Sequence, residues 1–339
     1  MRQFELISPK KIIKKEVPIP ETKANQVKIK VKAIGICGSD IHAYYGKHPF
    51  MSFPIVLGHE CSGVVEETAE GVENVAVGDR VVLRPQLTCG KCRPCREGRY
   101  NVCENLKVLG CQTTGGCSDY YTADAGLFYR IPDVLGFDEG TMIEPLAVAV
   151  HAVLRAGSVK DKNVLVLGAG TIGNLTAQSA KGLGAKTAMI TDIADEKLKL
   201  AEACGIDYPV NTAKKDLKAA IEEKYGSDGI DIVYECTANA NALNQVLSVA
   251  GKGTPVVIVG VYGGMTNINL ANVQDREYSL IGTLMYTEDD YYRSIRLIEQ
   301  RDIQLKPLIS KEFSIDQVNE AYQYIEDNQS SVQKVILNV

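Results

Sequence analysis

The stretch Val164-Leu165-Val166-Leu167-Gly168-Ala169-Gly170-Thr171-Ile172-Gly173 runs from four apolar residues directly into a Gly-x-Gly-x-x-Gly turn. Four consecutive apolar residues predict a short strand buried on both faces, and the glycines predict a tight turn opening a helix over residues 171–183. Asp192 closes the next apolar run, 19 residues beyond Gly173. Strand, glycine turn, helix and downstream acid stand in the order of a dinucleotide-binding unit. The glycines, Gly168, Gly170 and Gly173, let backbone N–H groups and a helix N-terminus approach a pyrophosphate, while the Asp192 carboxylate can accept from both ribose hydroxyls. That carboxylate also repels a 2′-phosphate, which favours NAD over NADP. A merely structural turn would not require the acid.

Working outward, strands at 164–167, 188–190, 232–234, 256–259 and 278–284 alternate with helices at 171–183 and 196–203, the pattern of a doubly wound parallel sheet. This assigns residues 147–288 to an α/β dinucleotide (Rossmann) domain. Upstream the pattern changes. In VKIKVKA, Val27, Ile29, Val31 and Ala33 share one face of a strand, and further short strand-like runs recur between Gly, Pro and Asp. Residues 1–146 are therefore expected to form an irregular, mostly β domain. Two amphipathic helices at about 291–301 and 316–327 and a last strand, KVILNV, predict that residues 289–339 return to it.

The chain has 339 residues, 45% hydrophobic, with 37 Lys and Arg against 42 Asp and Glu. That composition excludes disorder as the main state and gives no basic excess for nucleic acid. No apolar run approaches a membrane span, and the first residues lack the apolar core of a signal peptide, so a soluble, cytoplasmic protein without membrane partners is expected. Eight of the ten cysteines and three of the four histidines fall before residue 120. In a reducing compartment this enrichment points to metal binding.

Cys89, Cys92, Cys95 and Cys103 form C-x2-C-x2-C-x7-C in a lobe at about 86–106. Four soft thiolates close a tetrahedral shell, so zinc there would be structural. Redox-active CxxC pairs and an iron–sulfur cluster are the alternatives, without a thioredoxin-like context for the first. A second group, Cys37-Gly38-Ser39-Asp40-Ile41-His42 with Gly58-His59-Glu60, mixes thiolate, imidazole and carboxylate, the donors of an open catalytic zinc site. Taken alone, a Cys and a distant His are more often core or surface residues. The dinucleotide fingerprint in the same chain favours ligation.

CGSDIH, the GHE triplet, the four-cysteine loop, IEPL at residues 143–146 and GAGTIG together resemble the zinc-dependent medium-chain dehydrogenases. The likeness spans the whole chain and is nearest to the sorbitol, galactitol-phosphate and L-galactonate dehydrogenases, with threonine and 2,3-butanediol dehydrogenases nearby. It implies a GroES-like catalytic domain enclosing the Rossmann domain, with the active site in a cleft, two zinc ions per subunit, and a homodimer or homotetramer. It further implies that Cys37, His59 and Glu60 ligate the catalytic zinc, with Glu144 a ligand directly or through water. By the same resemblance Ser39 takes the alcohol proton, His42 passes it toward solvent, and Asp40 orients His59.

In the nucleotide domain Thr171 and Ile172 are placed to meet the pyrophosphate and Lys197 the adenosine ribose. Thr237, Val259, Val261 and Leu284, at or just after strand ends, are candidates for the nicotinamide half. Lys197 reads equally as a solvated helix charge, and the other four as ordinary packing. For substrate, Tyr45, His48, Met285 and Tyr286 are candidates, with Tyr44 and Phe50 beside the first two, and a loop-anchoring role reads alike for this aromatic group. Where sorbitol-oxidising relatives carry Arg-Tyr, this chain has Met285-Tyr286. The implied reaction is reversible NAD-linked oxidation of a secondary alcohol of a polyol or sugar acid, or its phosphate, to the ketone. A vicinal diol such as 2,3-butanediol is the alternative substrate. A non-enzymatic zinc-binding interaction module and a zinc-free quinone reductase are remoter readings, and both leave the paired metal sets unexplained.

Overall fold

The computed structural model describes residues 1–226 and 229–339. The chain divides into two compact units, Met1–Glu144 with Ile309–Val339, and Pro145–Leu308.

The first unit is built on a mixed sheet ordered Ile309–Ser314, Lys334–Asn338, Gln26–Ile36, Glu60–Thr68, Arg80–Leu83 and Phe128–Arg130, with Tyr120–Asp124 also pairing Gln26–Ile36. The alternation in VKIKVKA is realised: Val27, Ile29, Val31 and Ala33 are buried in the core. Beyond Ala33 it stops, because Ile34, Gly35 and Ile36 are buried as well. Here the strand is central, between Lys334–Asn338 and Glu60–Thr68, and Gly35 stands opposite Ile336 on one side and Glu60 on the other.

The second unit holds a six-stranded parallel sheet ordered Tyr208–Asn211, Thr187–Asp192, Asn163–Leu167, Ile232–Glu235, Pro255–Ile258 and Ser279–Gly282. All five residues of Asn163–Leu167 are buried. One apolar cluster around Val164, Val166 and Tyr234 and another around Leu165, Leu167 and Val233 separate the alternate residues of the central strands. Strand order reverses between Asn163–Leu167 and Ile232–Glu235, so the crevice beyond their carboxyl ends is where such a sheet takes a ligand.

Two expectations change. The second passage between units falls at Leu308, not at 288, because helix Glu288–Glu299 packs into the second unit: a Cβ on Gly182 of Thr171–Gly182 would meet Leu297 at 3.0 Å. The last strand of the parallel sheet is only Ser279–Gly282, which leaves Leu284 beyond it. Among the described residues, no helix is long and apolar enough to cross a membrane.

Candidate metal and dinucleotide sites

Strand pairing closes the 21-residue gap between Cys37 and His59. Cys37 follows Gln26–Ile36 and caps helix Gly38–Tyr44, while His59 precedes Glu60–Thr68 on the neighbouring antiparallel strand. One donor atom each from Cys37, His59 and Glu60 lie within 4.8 Å of one another. Asp40 Oδ2 accepts the Cys37 N–H at 2.9 Å, and Asp40 Oδ1 faces His59 Nδ1 at 3.5 Å. Burial opposes an imidazolium, yet the charges of Asp40 and Cys37 hold His59 well above its ordinary pKa. A buried set that stabilises positive charge on its own imidazole, with Asp40 Oδ1 just short of a full hydrogen bond, is suited to a dication held on the other ring nitrogen.

Glu60 has a partner the sequence does not reveal. Lys334 Nζ donates to both its carboxylate oxygens at 2.6 Å and to the Ile36 carbonyl at 3.2 Å. Burial would lower the Lys334 pKa, but the Glu60 charge raises it. Gly35 makes room for this arrangement, since a Cβ there would collide with Glu60 Oε2. Glu144 is buried at the start of Ile143–Arg155 and its charge reaches Lys334, but it lies outside the three-residue set. Cys111, also unforeseen as a neighbour, places Sγ 3.9 Å from His59 Nδ1. Ser39 is half-buried and His42 exposed on the same short helix as Asp40.

Cys89, Cys92, Cys95 and Cys103 form the other set, with donor sulfurs within 4.8 Å of one another. Backbone N–H groups point at the sulfurs: Cys89 N to Cys103 Sγ at 3.3 Å, Cys92 N to Cys89 Sγ and Asn105 N to Cys103 Sγ at 3.4 Å. N–H groups of Lys91 and Cys92 bring Cys89 down to about 6, whereas burial and its sulfur neighbours push Cys95 up to about 12. Four thiolates gathered this closely require a cation to ionise together, and zinc meets that need.

In the second unit, Gly170 caps helix Thr171–Gly182, and Thr171 and Ile172 form its half-buried first turn. Gly173 lies against the turn so closely that a Cβ would collide with the Gly168 carbonyl. Asp192 ends its strand beside the fingerprint, accepting from Ala169 N at 2.8 Å and from Ile193 N and Ala194 N at 2.8 and 3.0 Å. Lys197 is half-buried on Asp195–Ala203. Thr237 is exposed and Val259 half-buried, while Val261 is 86% and Leu284 52% exposed, so packing does not account for these last two.

The substrate candidates divide. Tyr286 is fully buried, its ring 5.6 Å from that of Tyr291, which corrects the expectation that it lines a pocket. Met285 is half-buried at φ 50°. Tyr45 lies under Lys10 and Lys47, 4.7 and 5.7 Å from its ring centre, and Tyr44 stacks on Tyr322 at 4.2 Å, so this pair anchors the loop. His48 is half-buried, and burial and nearby His42 lower its pKa.

Residues 23–133 match the alcohol dehydrogenase GroES-like domain and residues 171–300 the zinc-binding dehydrogenase domain. The chain is 32% identical to 2-dehydro-3-deoxy-L-galactonate 5-dehydrogenase of Pseudoalteromonas atlantica, covering 92% of each. It is 34% identical to a sorbitol dehydrogenase of Halalkalibacterium halodurans, over 93% of this chain and 92% of that one. An alcohol dehydrogenase of Escherichia coli CFT073, solved with NADH, superposes with a TM-score of 0.92 at 30% identity, covering 100% of this chain and 99% of its own. With both metal sets and the dinucleotide fold in place, these likenesses establish the chain as a member of the zinc-dependent medium-chain dehydrogenase family, an NAD-linked oxidoreductase.

Proposed function

We propose that the chain catalyses reversible NAD-linked oxidation of a secondary alcohol of a polyol or sugar acid, or its phosphate, to the ketone. The observation that carries this reading is the Cys37, His59 and Glu60 set, whose three mixed donors leave a tetrahedral ion one place for a substrate oxygen. Zinc bound there supplies a Lewis acid that makes the alcohol proton easier to remove. Asp40 fixes both ends of the set, through the Cys37 backbone and the His59 ring. Ser39 accepts the alcohol proton, and solvent-exposed His42 delivers it to water. Lys334 shares the charge of Glu60 and holds its carboxylate in the set, and Glu144 would serve from outside the set.

On the second unit, Gly168 to Gly173 receive the pyrophosphate, Asp192 and Lys197 the adenosine ribose, and Thr237, Val259, Val261 and Leu284 the nicotinamide half. The sugar-acid and sorbitol dehydrogenases among the relatives support a hydroxylated chain as substrate, with half-buried His48 a polar contact for it. Ten unpaired cysteines support a cytoplasmic location. The edge strand Ser279–Gly282, with Val261, Met265 and Leu270 exposed on the connection into it, supports pairing of two copies into a homodimer or homotetramer. A monomer by light scattering would refute the pairing. The reaction is tested by following NADH formation by zinc-loaded protein with hexitols, aldonates, their phosphates and vicinal diols, with NADP in parallel. Turnover of a polyol or sugar acid with NAD is expected, and turnover of simple diols alone contradicts the substrate class.

A further inference from the structure

Glu235 ends strand Ile232–Glu235 beside Asn163–Leu167 and is fully buried, yet it belongs to neither metal set nor the fingerprint. Its main-chain carbonyl accepts the N–H groups of Val259 and Gly260, both at 2.8 Å. Its carboxylate accepts the Thr237 N–H at 2.7 Å, the Thr237 hydroxyl, and the Ala238 N–H at 3.3 Å. Every one of these donors is neutral.

Two loops therefore meet on one residue. Ala238 is held at φ 53°, a left-handed conformation costly for a residue with a Cβ. Gly260 approaches it so closely that a Cβ would collide with Ala238 N and fall 2.9 Å from Glu235 Oε2. Thr237 in turn leans on the fingerprint, its Cγ2 lying 2.9 Å from where a Cβ on Gly168 would stand. The Glu235 charge is felt in this neighbourhood: burial first, and then that charge, push the Tyr262 phenol well above its ordinary pKa.

We propose that Glu235 is a positioning residue for the nicotinamide half of the dinucleotide and favours its oxidised form. It fixes the loops carrying Thr237 and Val259, and its buried charge attracts the cationic ring of NAD⁺ but not the neutral ring of NADH. This rests on the reading that the nicotinamide half lies along Thr237 and Val259.

The test is direct titration of NAD⁺ and NADH into zinc-loaded wild type, Glu235→Gln and Thr237→Val, with thermal unfolding of each. Glu235→Gln keeps the size and loses the charge, and is expected to raise the Kd of NAD⁺ about tenfold and that of NADH about threefold. Thr237→Val keeps the charge and is expected to raise both by one common factor. Equal factors in Glu235→Gln, beside a weakened Thr237→Val, overturn the role of Glu235 alone. Unchanged binding by Thr237→Val contradicts the placement of the nicotinamide, and the proposal with it. Should Glu235→Gln fail to fold, Glu235→Asp loosens both forms with their ratio kept, and a shifted ratio or unaltered binding overturns the proposal.

Discussion

Lys334 Nζ stands 2.6 Å from both carboxylate oxygens of Glu60, and the two side chains are 4% and 0% exposed. The pair joins the last strand of the chain to a residue of the catalytic metal set. Removing one partner of a buried pair strands the other charge. Lys334→Met should therefore destabilise the protein by about 3–5 kcal/mol, while Lys334→Met with Glu60→Gln recovers much of the loss. Urea unfolding of the single and double variants checks this; equal loss in both would show that packing, not charge, is at stake.

The second unit carries a pair of its own. His151 Nδ1 lies 2.7 Å from Asp290 Oδ2, which also accepts from Thr287 N and Oγ1 at the start of Glu288–Glu299. Burial would raise the Asp290 pKa, but the His151 and Thr287 hydrogen bonds win and lower it. A depressed carboxyl stabilises the fold above its unfolded value, about 3.9, and loses that contribution as pH falls through the lower folded value. Asp290→Asn should cost roughly 2 kcal/mol at neutral pH, and the gap from wild type should narrow below about pH 4. A gap that instead widens in acid would reverse the sign assigned to Asp290.

Glycine substitutions separate folding from cofactor approach. A Cβ on Gly170 meets nothing within 4 Å, whereas one on Gly173 collides with the Gly168 carbonyl. Gly170→Ala should thus unfold at the wild-type temperature and yet bind NAD at least about tenfold more weakly, because the methyl fills space kept for the pyrophosphate. Gly173→Ala should lose stability as well. Calorimetry and NAD titration on both variants decide, and full NAD affinity in Gly170→Ala would contradict the pyrophosphate placement.

Proteolysis, read beside metal content, distinguishes the two metal sets. Cys92→Ser should bind one zinc and leave the lobe at about 86–106 open to proteolysis, since a closed thiolate shell is what orders it. Cys37→Ser should also keep one zinc, with the lobe resistant. Zinc analysis with limited proteolysis reads both, and a resistant lobe in zinc-depleted Cys92→Ser would count against a structural metal.

The local patterns proved readable in the sequence, and the long-range pairings did not. Gly168 to Gly173 with Asp192 announce their unit because glycine turn, buried strand and acid are all local features. Strand Tyr208–Asn211 escapes the same reading because Pro209 argues against a strand; it is tolerated at the sheet edge, where ladder donors are dispensable. The four lobe cysteines stand out by residue type and spacing, whereas Cys37 and His59, with 21 residues between them, gain their weight from the dinucleotide fingerprint and the family resemblance. Lys334 does not, being a single charge opening an apolar strand, 274 residues from its partner Glu60. Tyr286 was placed by likeness to polyol dehydrogenases, and its packing on Tyr291 has no sequence signature.

The role of the Cys37, His59 and Glu60 set is tested most directly by NADH formation from a polyol or sugar-acid substrate by wild type and by Cys37→Ser, with zinc content and NAD affinity measured on the same samples. Cys37→Ser is expected to retain one zinc, bind NAD as wild type does, and form no NADH above background. Turnover by Cys37→Ser at a rate near wild type would contradict that role, and the Cys37, His59 and Glu60 set would no longer be the place where the alcohol is oxidised.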